Sequence, residues 1–181
     1  IVVGSPGAVD TTTFNILKTK PEVYNKTLAE LSKAAHDVAK KHGAVFADVY
    51  TPMMDVMAKA KAKFGNDYPI AKDGVHPGPN GHLIMAYAFL KALGCDGNIG
   101  EFTVNLKDGH ATASDGHKIL SAAKGTVEVE SRRYPFCFLS EDLIKITEFF
   151  PFNKDLNRLT LKVTGAAGDK LKVTWGGESK V

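Results

Sequence analysis

Through residue 94 the chain alternates short apolar runs with stretches of helical period, and the alternation stops at a cluster of glycines, Gly94, Gly97 and Gly100. This pattern commits the first half to a parallel sheet covered by helices, because parallel strands need a crossover long enough to hold a helix. Ile1-Val2-Val3 reads as a buried strand running into a Gly/Pro loop. A loop with Pro6-Gly7, the run Thr11-Thr12-Thr13 and Pro21 then leads to a helix over 22–41. Val23, Leu31, Ala35 and Val38 give that helix its apolar positions, and Gly43 stops it. A short strand over 44–49 follows. Thr51-Pro52 next supplies an N-cap and a first-turn proline for a helix through Met53, Met54 and Met57 to Phe64, the methionines serving as core filling. A loop over 65–79 precedes a third helix over 80–93, closed by Gly94.

Beyond residue 100 the period changes to two. Residues 102–106 lead to the turn signal Lys107-Asp108-Gly109, and 125–130 alternate cleanly. Residues 159–164 and 170–175 flank Gly165 to Asp169 and predict a hairpin with a longer loop, and 141–149 predicts a short helix. The boundary falls between 95 and 100, separating 1–96 from a β-rich region over 97–181.

Composition narrows the function classes. With 44% hydrophobic and 24% charged residues over 181 positions, the chain has the make-up of a globular protein, and no apolar run approaches the ~20 residues of a membrane helix. The net charge of +3 is spread evenly: 11 Lys face 9 acids through residue 99, and 12 basic residues face 11 acids thereafter. No basic face for nucleic acid is implied. Cys95 and Cys137 lack the paired spacing of a zinc site and read as two free thiols, with a disulfide between them as the alternative.

The chemistry concentrates in Asp73-Gly74-Val75-His76-Pro77, followed by Gly78-Pro79-Asn80-Gly81-His82. An Asp three residues before a His on a Gly/Pro loop can turn its carboxylate onto the imidazole Nδ1 and leave Nε2 as a base. That is two thirds of a hydrolytic triad. This block, with the amphipathic helix after it, resembles the last sequence block of the SGNH (GDSL-type) esterase and acylhydrolase superfamily. The resemblance covers residues 1 to about 94 and is strongest over 73–93.

It implies a flavodoxin-like three-layer α/β/α fold, of which 1–96 would be the C-terminal part and 97–181 a β-rich accessory extension. It also implies His76 as general base and Asp73 as its orienting carboxylate. The family's nucleophile and Asn blocks have no counterpart here. The one Gly-Asp pair, Gly168-Asp169, is followed by Lys170, and Gly65-Asn66-Asp67 lacks the spacer of Gly-x-Asn-Asp. The expectation is therefore a carboxylic ester hydrolase whose Ser and oxyanion donors precede residue 1, with residues 1–181 inactive alone. It would need no metal or organic cofactor. Its substrates would be small-molecule or carbohydrate esters, acetyl groups on sugars among them, and the family suggests a secreted or periplasmic setting. The alternative is a non-catalytic SGNH-like module that binds a glycan or a protein.

Other candidates read as structural. Ser5, after a strand at Gly4-Ser5-Pro6-Gly7, lacks the Gly-x-Ser-x-Gly spacing of a nucleophile elbow and is expected to end the strand. His82 is expected to pack or hydrogen-bond, and His110 and His117 to lie on the surface without a third metal ligand. Trp175, Tyr134 and Phe136 could form an aromatic platform for sugar stacking, but packing between sheets is the expectation.

Overall fold

A computed structural model describes every residue except 16, 17, 124 and 139, so part of the loop expected before Pro21 lies outside the described residues. The chain is of mixed α/β class and forms two compact units, 1–96 with 137–155 and 97–136 with 156–181. Among the described residues no helix is long and apolar enough to cross a membrane.

In the first unit, β1 (Val2–Gly4), α1 (Pro21–Lys41) and β2 (Val45–Ala47) make a strand-helix-strand crossover. The strands pair in parallel, Val2 opposite Val45 and Gly4 opposite Ala47. Two helices follow, α2 (Tyr50–Phe64) and α3 (Pro79–Ala92), and the later segment adds α4 (Glu141–Ile146) and α5 (Phe152–Leu156). Met53, Val56, Met57, Ile70, Ile84 and Ile146 are buried in its core.

The face that α1 buries is not the one its apolar residues mark. Val23, Leu31 and Val38 are more than half exposed, while Asn25, Ser32 and Ala39 are buried. Asn25 carries this inversion. Its side-chain amide donates to the Val9 carbonyl and its Oδ1 accepts the Val9 N–H, both at 2.9 Å, which removes the usual cost of burying an amide.

The start of α2 also differs from the expected Thr51 cap. Ser5 Oγ accepts the N–H groups of Val49 and Tyr50 at 2.8 and 2.9 Å, and Asp48 Oδ1 accepts that of Thr51 at 3.0 Å. Pro52 has no N–H to satisfy, so every early donor of the helix is accounted for.

Residues 137–155 group with this unit, so the β-rich region expected over 97–181 is interrupted. The segment is held by aromatic packing: the Tyr87 ring lies 5.2 Å from Phe150 and 5.9 Å from Phe152. Tyr87 also donates to Asp155 at 2.8 Å, and burial, then that carboxylate, push the phenol up to about 12.

In the second unit the strands are β3 (Asn98–Asn105), β4 (Ala111–Ala113), β5 (His117–Ala123), β6 (Thr126–Ser131), β7 (Arg158–Thr164), β8 (Val173–Trp175) and β9 (Glu178–Lys180). β3 is central to its sheet, antiparallel to β4 and parallel to β7. The hairpin expected between 159–164 and 170–175 does not form. β7 pairs with β3, and β8 turns back onto β9 through Gly176-Gly177, both at positive φ. The aromatic trio is not packed between sheets: Trp175, Tyr134 and Phe136 are 52%, 75% and 47% exposed.

Candidate active site

The loop joining α2 to α3 closes on itself. Ala71 and Pro77 pair as an isolated antiparallel bridge, and the Gly78 N–H donates to the Ile70 carbonyl at 2.8 Å. Residues 72–76 thus form a tongue with its base pinned. Gly74 sits at the bend with φ of 81°, and a Cβ there would stand 2.2 Å from Phe14 Cα. Conformation and space both require glycine.

The tongue lies on the loop that follows β1. The Gly74 carbonyl accepts the Asp10 N–H at 2.8 Å, and Thr13 Oγ1 donates to the Ala71 carbonyl at 2.7 Å.

Asp73 uses its two oxygens differently. Oδ1 accepts the N–H groups of Val75 and His76 at 3.0 and 2.8 Å, which shapes the turn, while Oδ2 lies 2.6 Å from His76 Nδ1. The hydrogen bond from the His76 ring, then those from the His76 and Val75 backbone, hold the carboxyl well below the usual carboxylate range. An ionised acceptor at Nδ1 keeps the ring proton on that nitrogen and leaves the Nε2 lone pair available. The His76 side chain is 81% exposed, so its outer nitrogen can meet another molecule. The two residues singled out in the sequence are thus in contact.

Beneath the loop lies an ion pair that sequence reasoning missed. Lys61 Nζ stands 3.1 Å from Asp10 Oδ1, with the two side chains only 10% and 0% exposed. The ammonium also donates to Thr12 Oγ1 and the Asn66 carbonyl, both at 2.6 Å, and Asp10 Oδ1 accepts the Thr12 N–H and hydroxyl at 3.0 and 2.7 Å. A buried pair is tolerable only with such additional bonds. Asp10-x-Thr12 was the visible signal, as an Asp that can bond the backbone two residues on.

The remaining candidates fall away from this site chemically. Ser5 is buried, and its oxygen accepts two amides and donates to the Pro6 carbonyl at 3.1 Å, so it caps α2 and is not presented as a nucleophile. His82 is exposed on the first turn of α3, so it does not pack. His117, expected on the surface, is half-buried and engaged at both ring nitrogens. Its Nδ1 meets Ser131 Oγ at 2.8 Å and its Nε2 the Ile99 carbonyl at 2.9 Å, and its ring fills the space a side chain at Gly100 would need. Among the described residues no group of three or more His, Cys, Asp or Glu could hold a metal ion.

No family model matches the chain, and no curated protein does. A solved structure does match. It is that of a gut microbial diltiazem-metabolizing enzyme, similar at a TM-score of 0.68 and 23% identity over 96% of this chain and 41% of that one. The likeness is one of fold, and the chain spans about two fifths of that enzyme's length.

Proposed function

We propose that the protein is a carboxylic ester hydrolase of the SGNH type, with His76 as general base and Asp73 as its orienting carboxylate. Residues 1–96 would then be the C-terminal part of a three-layer α/β/α catalytic domain. The observation that carries this reading is the 2.6 Å contact between Asp73 Oδ2 and His76 Nδ1, on a turn that Asp73 Oδ1 itself fixes. A fold shared with an enzyme named for metabolising a drug is in keeping with it.

In this mechanism a serine outside residues 1–181 attacks the ester carbonyl while His76 Nε2 takes its proton. Asp73 steadies the imidazolium that forms, and His76 then protonates the leaving alcohol. Water repeats the cycle on the acyl-enzyme, and its proton passes to Nε2 before returning to the serine.

The test is hydrolysis of p-nitrophenyl acetate by residues 1–181 extended with their preceding sequence to include a Gly-Asp-Ser segment. Burst kinetics and turnover lost in His76→Ala are expected, with residues 1–181 alone inert. Undiminished turnover in His76→Ala would overturn the reading, as would turnover by residues 1–181 that Ser5→Ala abolishes.

A further inference from the structure

Beside the dyad the first unit holds a cavity of about 240 Å³, walled by Val9 from the loop after β1, Tyr24 and Leu28 from α1, Val75 and Pro77 from the tongue, and Met85 from α3. Resting on the ester-hydrolase reading, we propose that this cavity is the subsite for the hydrocarbon part of the leaving alcohol. It would take an alkyl chain of about four to seven carbons or a phenyl group, since an apolar cavity of roughly 150 Å³ already holds benzene.

Three observations carry the assignment. The first is position: Val75 and Pro77, the residues on either side of His76 in the chain, both line the cavity. His76 must hand its proton to the departing alkoxide, and the arm of the ester nearest the base is therefore the alkoxy arm.

The second is the chemistry of the wall. None of these six side chains carries a charge, and the backbone of Val9 is already engaged at both groups, since Asn25 bonds its N–H and its carbonyl at 2.9 Å, while the Ala8 N–H meets Met53 Sδ at 3.2 Å. A sugar hydroxyl entering here would surrender water and find no replacement at Val9. The third is rigidity. Asn25 is itself buried and Tyr50 donates to its backbone carbonyl at 2.9 Å, so the wall is set before any ligand arrives.

The experiment is a titration of residues 1–181 with the 1-alkanols from propanol to octanol, read by NMR at the methyl groups of Val75, Leu28 and Met85. Saturable shifts confined to these methyls are expected, with affinity rising about fourfold per methylene and levelling off near seven carbons. Leu28→Trp, which fills the cavity, should lose them, while Leu31→Trp on the exposed side of α1 should keep them. The length series stands without either variant. Affinity independent of chain length, or equal shifts at Leu31 and Val38, would overturn the subsite, and tighter binding of alkanoates of equal length would overturn its assignment to the alcohol. Binding should survive in His76→Ala. An extended polypeptide that binds alkanols yet hydrolyses no ester would therefore count against the reading of the dyad and leave the cavity's selectivity intact.

Discussion

His76 in the first unit and His117 in the second each hold a hydrogen bond at Nδ1, to Asp73 at 2.6 Å and to Ser131 at 2.8 Å, and they part at the other nitrogen. His117 Nε2 is closed by the Ile99 carbonyl at 2.9 Å, with the ring edge-on to Phe102 at 5.0 Å. His76 Nε2 stands on a side chain that is 81% exposed. One ring has used both its polar atoms to tie β5 to β3 and β6; the other keeps one in reserve. A histidine with an anionic partner on one side and an open nitrogen on the other is arranged for proton transfer, whereas one satisfied on both sides is a fastener.

Exchanging roles is the sharpest way to break this comparison. In the extended, serine-bearing polypeptide His76→Ala should lower kcat on the order of 10⁶-fold and Asp73→Asn on the order of 10⁴-fold. His76→Ala should leave the urea midpoint of unfolding unchanged. A His76→Ala variant that unfolds at markedly lower urea would make His76 another fastener.

The next effect in size belongs to the ground under the tongue. Lys61→Met removes one partner of a buried pair, leaves Asp10 uncompensated and should cost about 3–5 kcal/mol, measured by urea unfolding. A loss within ~0.5 kcal/mol would mean that water reaches Asp10 and that the platform is softer than its bonds suggest. His117→Ala should follow with about 1–3 kcal/mol, because the Ile99 carbonyl loses its donor. Its effect on hydrolysis should be no larger than its effect on the folded fraction.

The smallest effect is a matter of pH. Asp73 has its carboxyl held below its unfolded value of about 3.9, so its contribution is fully present above that pH and fades only as the pH falls toward the lowered folded value. At pH 4 the Asp73 carboxyl carbon should therefore still show the NMR shift of an ionised group. Half-titration near 3.9 would place the His76 contact outside the solution ensemble.

These contrasts also mark what the sequence could convey. The α/β order of the first half was legible because its signals are local: Gly43, Gly65 and Gly94 stand at helix ends, all at positive φ. The dyad was legible because Asp73 and His76 are three residues apart and the turn between them is built from those same residues. What escaped was set by partners distant along the chain. Asn25 is buried by a bond to Val9, sixteen positions away, so the apolar stripe of α1 pointed to the wrong face. Ser5 caps a helix that begins 45 residues later, which no local capping rule anticipates. β7 lies parallel to β3, a pairing with no turn chemistry to announce it, whereas Gly165 to Asp169 offered a convincing local turn. The two anchors of His117 are illegible for the same reason, since nothing near it in the chain names Ile99 or Ser131.

Asn25 also takes the place of a strand beside the loop after β1. The exchange it makes with Val9, one N–H given and one taken, copies the narrow pair of an antiparallel ladder, with a side chain standing in for a neighbouring strand. Because Val9 is only 3% exposed, the amide satisfies a stretch of loop that neither water nor a neighbouring strand reaches, and so lets irregular backbone be buried.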